Sequence, residues 1–326
     1  MSSSPAIDVR YTFFHTLFDL PGITPIYVIS SGVLFESGVK HAHSLSRGRL
    51  CHVLVQPAWN LLPHAQLLSE SVTRLSTSAP NLQFTFMTTT ITETEHMHAH
   101  GLNAINIHKN AFLDDRIFFP KQDSIKSFSA IHVANTEAFK RHSLAWGVGN
   151  LALVTYAYRF PIDFKEVDGY RSLGFTNISD RNEGIRVLKP NEVADIIRAS
   201  RCGLILSAEE GSNNASTEYL MCGIPVISTP SRGGRDEFFD PRHVRIVQPN
   251  PDEIEEAVAE MNDCSIDPFE IHNSVMLKAI EHRTRLLNWL SHVTNMDLHS
   301  QADKNAWIPQ FTNKLRNSVK VHQQTS

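Results

Sequence analysis

Residues 207–234 read SAEEGSNNASTEYLMCGIPVISTPSRGG. In order they give a strand end, an acidic loop, a helix start, a helix, a glycine stop at Gly223, a strand of the type PVIST and a loop holding Gly233 and Gly234. A glycine at that point suits the left-handed residue that commonly closes a helix. Strand, helix and strand in this order predict a parallel pair in an open α/β sheet, where ligands bind outside the carboxyl ends of the strands. Glu210 is then expected at a strand exit, and Gly211, Ser212, Asn213 and Asn214 lead into the helix. Unpaired N–H groups at a helix start attract phosphate, and Ser212, Asn213, Asn214 and Thr217 are side chains able to cap it. Glu218, one turn in, can accept hydrogen bonds from a sugar diol. Gly211, Gly233 and Gly234 let backbone come close to a ligand, and they also serve ordinary turns.

Working outward, apolar runs alternate with helical periodicity along most of the chain. Strands are expected at 26–30, 51–56, 83–88, 104–108, 129–133, 151–156, 203–207 and 225–229. Helices are expected at 59–78, 92–100, 137–146, 214–222, 252–262 and 268–293, with another from Glu192 capped by Asn191. KNAFLDDRIFFPKQDS, residues 109–124, has no clean period and reads as a connection between two halves. The tail from His299 is polar, and its last ten residues are expected to be disordered.

A chain of 326 residues is long enough for two domains, each with its own core. Thirty Lys and Arg against 34 Asp and Glu, with 41% hydrophobic residues, disfavour a polybasic nucleic-acid or membrane-surface binder. Cys51, Cys202, Cys222 and Cys264 form no CxxC pair, so neither a disulfide framework nor a zinc ribbon is expected, and a reducing, cytoplasmic setting fits. MSSSPAIDVRYTFF has no signal-peptide pattern, and no apolar run is long enough to span a membrane. Sequons at Asn177 and Asn214 read as chance matches.

Glu210 and Glu218, followed by Gly223, Pro225, Val226 and the Gly233–Gly234 pair, resemble the nucleotide-sugar signature of glycosyltransferase family 4, a retaining family of GT-B fold. AIHVANTEAFKRHSLA, residues 130–145, is similar to the strand-loop-helix where that family holds the donor diphosphate with an Arg and, five positions later, a Lys. Lys140 occupies the Lys position, Asn135 stands where the Arg is usual, and Arg141 is a substitute for the missing charge. INIHKNAFLDDRIFFP resembles the family's domain linker, so the likeness covers residues 102–262.

The resemblance implies an α/β, GT-B-like chain of two Rossmann-like domains with parallel sheets, the N-terminal one shortened. Its expected limits are 1–118 for the acceptor side, 119–285 for donor binding and 286–326 for a C-terminal helix and tail. The long helix bearing Leu286, Leu287, Trp289 and Leu290 is expected to return toward the N-terminal half. No GG pair follows the first strand, and Gly32 and Gly38 are the nearest candidates for that loop. His41 and His43 are weak candidates on the acceptor side.

The implied reaction moves a sugar from a nucleotide diphosphate sugar to a carbohydrate or other hydroxyl acceptor, with no cofactor. Lys140 and the helix N–H groups would stabilise the leaving diphosphate, Glu218 would hold the ribose, and Glu210 the sugar or its cationic transition state. No Asp-x-Asp triplet occurs, in keeping with metal-independent chemistry. Base, sugar, acceptor and oligomeric state stay open. Other readings are a degenerate GT-B nucleotide-binding scaffold, favoured by Asn135, and a nucleotide-sugar epimerase. A zinc hydrolase built on HMHAH, with His96 and His100 four apart near Glu93 and Glu95, is the remotest.

Overall fold

The computed structural model describes residues 11–19, 22–31, 35–156, 162–180, 184–315 and 318–322. In chain order the elements are β1 (Tyr11–Phe18), β2 (Ile26–Ser31), α1 (Glu36–Ser46), β3 (Cys51–Pro57), α2 (Ala65–Ser78), β4 (Leu82–Thr88), α3 (Ile91–Ala99), β5 (Ala104–Asn106), β6 (Ala130–Val133), β7 (Leu151–Val154), α4 (Phe164–Asp168), β8 (Leu173–Thr176), β9 (Ile178–Asp180), β10 (Gly184–Ile185), α5 (Pro190–Arg198), β11 (Gly203–Ile205), α6 (Asn214–Met221), β12 (Val226–Ser228), β13 (Val244–Ile246), α7 (Pro251–Asp263), α8 (Pro268–Thr294), α9 (Gln301–Leu315) and β14 (Val319–His322). They form two compact units, one of Met1–Phe112 with Ala279–Ser326, the other of Leu113–Lys278. No described helix is long and apolar enough to cross a membrane.

In the first unit the sheet order is β14-β1-β2-β3-β4-β5. Strands β2 to β5 are parallel and step across the sheet in chain order, while β1 runs antiparallel to both its neighbours. Alternate residues Cys51, Val53 and Val55 of β3 share one buried face with Phe84 and Phe86 of β4, against Val39 of α1, Leu68 of α2 and Met97 of α3. His52, pointing the other way by the two-residue period of a strand, meets Trp289 of α8 edge-on at 6.2 Å. Leu286, Leu287 and Leu290 are buried beside it in sequence, so the second part of α8 belongs to this unit's core.

Three local expectations are corrected here. Of the last ten residues, expected to be disordered, Val319–His322 form a strand paired with Tyr11–Phe14, with Val321 packed on the core, while 317 and 323–326 lie outside the described residues. Gly38 lies inside α1, where a Cβ would sit 2.8 Å from a Thr12 methyl and 2.9 Å from an Ile29 methyl. It lets the helix lie close on β1 and β2 and forms no ligand loop, while Gly32 is outside the described residues. Asn191 is not the cap of α5, because Pro190 takes the first helical position and the Glu192 carboxylate accepts from the Lys189 N–H at 2.8 Å.

The second unit carries an all-parallel sheet, β13-β12-β11-β6-β7-β8. Numbered within the unit, that is the doubly wound order 3-2-1-4-5-6, read from the β8 edge. The direction of winding reverses between β6 and β11. Loops leaving these two strands part to opposite faces, which opens a crevice at their carboxyl ends. Leu204, Leu206 and Ile227 of the sheet region pack with Ala145, Val148, Ile254 and Val258.

The helix-to-strand connection within the opening motif is a Schellman turn. Ile224 N–H donates to Tyr219 O at 3.1 Å and Gly223 N–H to Leu220 O at 3.0 Å, with Gly223 at φ +78°. A Cβ on Gly223 would lie 2.6 Å from both Cβ and O of Pro268. Gly223→Ala is therefore expected to cost about 2–4 kcal/mol, from positive φ and overpacking together. Denaturant unfolding of the full chain checks this, and a cost within experimental error would contradict it.

Candidate functional site

The crevice between β6 and β11 brings together residues far apart in sequence. Lys140 arrives on the loop after β6 and Glu210 on the loop after β11; their side chains, each about nine-tenths buried, form an ion pair between Nζ and Oε1. The same Glu210 oxygen accepts from Asn213 Nδ2 at 3.1 Å. Lys140 Nζ also stands 5.0 Å from the centre of the Phe139 ring. The pair was not built from neighbours in the chain, and its position at the reversal of strand order is where an open α/β sheet binds ligands.

Tyr219 sits where the crevice begins. Strands β6 and β11 are in register at Ile131 and Gly203, but two residues on, the Val133 N–H donates to the Tyr219 hydroxyl at 2.7 Å rather than to β11. Tyr219 is fully buried and reaches this point from α6. Its hydroxyl satisfies a backbone donor that would otherwise be orphaned where the strands part.

Asn213 caps α6, its Oδ1 accepting from Ser216 N–H at 3.2 Å. Gly211, Ser212 and Thr217 are buried around the helix start, and Asn214 and Glu218 are half-buried. The two loops beyond β11 and β12 pair with each other: Glu210 N–H donates to Arg232 O at 3.0 Å, and Glu209 bridges Arg232 at 2.8 Å. Gly233 follows at φ +106° and ψ −173°, a conformation open in practice to glycine alone, and Gly234 is buried behind it.

Asn135 is half-buried and turned on its own loop: Oδ1 accepts from Glu137 N–H at 3.3 Å and Nδ2 donates to a Glu137 carboxylate oxygen at 3.2 Å. The helix expected over 137–146 is instead two 3-10 turns, Ala138–Lys140 and His142–Ala145, broken at Arg141 with φ +52°. The cause is the Arg141 side chain. Its Nε donates to Leu206 O and its Nη2 to Thr229 Oγ1 at 2.6 Å, so it straps the ends of β11 and β12. Burial, with the nearby Arg235 charge, pulls its pKa down from the usual arginine value; a guanidinium nevertheless stays charged in proteins. Arg141 thus sits beneath the crevice with these donors engaged.

Arg235, which sequence reasoning did not single out, completes the strap. It is wholly buried and donates from Nη1 to Ser207 O at 2.8 Å, from Nη2 to Thr229 O, and from Nε to Asp236 at 2.8 Å. An Arg right after a glycine pair carries no local signal of burial.

Other expected residues lie elsewhere. His41 packs edge-on against Phe14 at 4.6 Å, and His43 bonds Asn81 Oδ1 at 3.1 Å. Asn81 immediately precedes β4, so His43 is at the amino ends of the parallel strands, opposite their ligand-binding ends. In the HMHAH segment His100 Nδ1 bonds His96 O at 2.9 Å and His98 Nε2 bonds Ala104 O at 3.0 Å. Glu93 is buried, accepting from the N–H groups of Leu61 and Thr89, and no group of three metal-binding side chains occurs among the described residues. Burial pushes the Cys202 and Cys222 thiols up to about 12, which makes them inert packing groups. Asn177 is clamped by Thr155 and Arg186 backbone and buried, so its sequon is not an acceptor.

Residues 151–284 match a family model described as glycosyl transferase-like. No curated protein matches the chain. Among solved structures, Anabaena HepE in complex with UDP-glucose aligns at TM-score 0.55 with 11% identity, over 79% of this chain and 77% of that one. The α,α-trehalose-phosphate synthase (UDP-forming) of Burkholderia xenovorans, in complex with glucose-6-phosphate, aligns at 0.50 with 12% identity, over 79% and 71%. The N-terminal domain of Candida albicans trehalose-6-phosphate phosphatase aligns at 0.51 with 12% identity, over 79% and 74%. At such identities the likeness is one of fold.

Proposed function

We propose that this chain, glycosyl transferase group 1-like over residues 151–284 and GT-B-like in fold, transfers a sugar from a nucleotide diphosphate sugar to a hydroxyl acceptor. The observation that carries the reading is the meeting of Lys140 and Glu210 in the crevice at the start of α6. As the bond from sugar to diphosphate breaks, negative charge develops on the leaving group. Lys140 and the backbone N–H groups leading into α6 are preorganised donors for it. Glu218 accepts from the ribose diol, and Glu210 faces the transferred sugar or its cationic transition state. In this reading these groups do the charge stabilisation without a metal, and the sugar keeps its anomeric configuration, as the family resemblance implies. The residues 1–118 side would carry the acceptor.

Donor entry has a cost in this geometry, because Lys140 must exchange its contact with Glu210 for a phosphate oxygen. A second reading, a nucleotide-binding protein without transfer, is favoured by one observation: Asn135 is turned onto Glu137, and Arg141 has Nε and Nη2 on protein oxygens. Lys140 is then the cation left to meet a diphosphate from this loop.

Calorimetric titration without added metal against UDP, GDP and ADP tests both. UDP comes first, since HepE is seen with UDP-glucose. One nucleotide is expected to bind, with affinity about 10- to 100-fold lower in Glu218→Ala, the loss associated with hydrogen bonds to a charged group. Failure of all three to bind the folded chain would overturn both readings. Binding together with donor-dependent product from an acceptor library separates transfer from mere binding.

A further inference from the structure

Beneath the Asn135–Lys140 loop lies a buried polar chain that the mechanism above does not use. His132, on β6, and His142, just after Arg141, are 2% and 0% exposed. Their Nδ1 atoms flank the Tyr170 hydroxyl at 3.0 Å and 2.9 Å, and the two imidazole rings are 4.8 Å apart. His142 Nε2 is 2.7 Å from the backbone oxygen of Asn135.

Elementary proton accounting gives this chain a direction. A carbonyl oxygen only accepts, so His142 Nε2 carries a proton. Burial, together with the Lys140 charge, holds the pKa of both histidines below the usual value, so each ring is neutral and has one bare nitrogen. His142 Nδ1 is therefore an acceptor, and the Tyr170 O–H donates to it. The Tyr170 oxygen in turn accepts from His132 Nδ1–H. Every proton points toward Asn135, and the last bond fixes the peptide from which the loop turns. From there Asn135 Oδ1 receives the Glu137 N–H and Glu137 O receives the Lys140 N–H at 2.9 Å, so the same series of contacts sets the start of the Lys140 side chain.

We propose that Tyr170 and His142 are positioning residues: their directed hydrogen bonds hold the Asn135–Lys140 loop so that the Lys140 ammonium stands in the crevice opposite Glu210. The consequence for a nucleotide rests on the function proposed above, but the positioning itself does not.

The test has two arms on the full chain. Without nucleotide, hydrogen exchange of the Glu137, Lys140 and Arg141 amides is compared between the parent and Tyr170→Phe, which keeps the ring and removes one oxygen. Exchange is expected to rise about tenfold in these amides, the equivalent of one net hydrogen bond, with β6 and α6 unchanged. His142→Phe should reproduce this effect. His132→Phe should leave the loop near the parent value, since the bonds from Tyr170 onward survive. Equal loosening by His132→Phe and His142→Phe, or loosening spread across the unit, would identify ordinary core packing and overturn the proposal. If Tyr170→Phe does not fold, the comparison of the two histidine variants decides.

In the second arm, nucleotide affinity falls about tenfold in Tyr170→Phe but not further when Lys140→Ala is already present, because the residue acts through Lys140. Additive losses would overturn it. A parent chain that binds no nucleotide removes the transferase reading, and the exchange arm still returns its own answer.

Discussion

Lys140→Ala lowers turnover by about 10²–10³-fold, the range for loss of one preorganised charge-stabilising group, and also destabilises the chain by about 3–5 kcal/mol. Both effects follow from the buried ion pair. The ammonium and the Glu210 carboxylate are nearly shielded from water. Removing the cation leaves a buried anion with the Asn213 amide as a neutral partner, and an uncompensated buried charge is among the costliest single changes. Two variants separate the effects. Glu210→Gln placed on Lys140→Ala removes the stranded charge, so stability measured by denaturant unfolding should recover in large part. Turnover should not recover, because the cation proposed to meet the diphosphate and the carboxylate proposed to face the sugar are both missing. Parent-like turnover in Lys140→Ala would remove Lys140 from the mechanism, and recovery of turnover in the double variant would show that the loss was one of folding.

Arg235→Leu is the second large effect, expected at about 3–5 kcal/mol. The guanidinium has no exposed surface and bonds Ser207 O, Thr229 O and Asp236. Leucine fills part of the volume but leaves two buried carbonyl oxygens to find other donors, each orphan costing about 1–3 kcal/mol. Arg235→Lys should recover less than half, because an ammonium cannot reproduce the planar fork that reaches both strand ends at once. Denaturant unfolding measures the cost. Because Ser207 and Thr229 begin the two loops that carry Glu210 and Gly233, nucleotide affinity should fall as well, even in conditions where the chain is folded. A stable Arg235→Leu chain with parent affinity would show that β11 and β12 hold their ends without it.

The part of the site that was legible in the sequence is the part built from neighbours in the chain. Strand, loop, helix, Gly223 and strand appear within residues 207–234 because each step has a local cause, an apolar run, a cap or a positive φ. The same holds for the parallel strands β2 and β3, whose apolar runs are buried on both faces, and for β4, where Leu82, Phe84 and Phe86 alternate with exposed Gln83 and half-buried Thr85. The segment 137–146 failed for a long-range reason. Its helical spacing is real, but Arg141 is drawn to Leu206 and Thr229, across more than sixty residues of chain, and the backbone breaks to let it reach. Strand β1 was missed because its pattern, YTFFHTLF, belongs to an antiparallel strand between β2 and β14, a partner more than three hundred residues away. Arg235 and Tyr170 carry no motif at all, and His132 enters the 130–145 stretch only as a strand residue. Their roles come from which strand ends and loops the fold brings above them.

The way the first sheet is completed has a consequence for how the chain comes off the ribosome. Its last strand is β14, and much of its helical cover lies in α8 and α9, all near the C-terminus, whereas the second unit is one unbroken stretch from Leu113 to Lys278. Domains generally fold as units during synthesis. The unit begun before residues 113–278 is therefore able to finish only after them. While residues 113–278 are being made, β1 presents an unpaired edge, the kind of surface that invites wrong partners. Strand Val319–His322 acts as a latch that closes this window only after residues 113–278 have been made. Truncation before Val319 would therefore harm a sheet whose opening strand is Tyr11–Phe18.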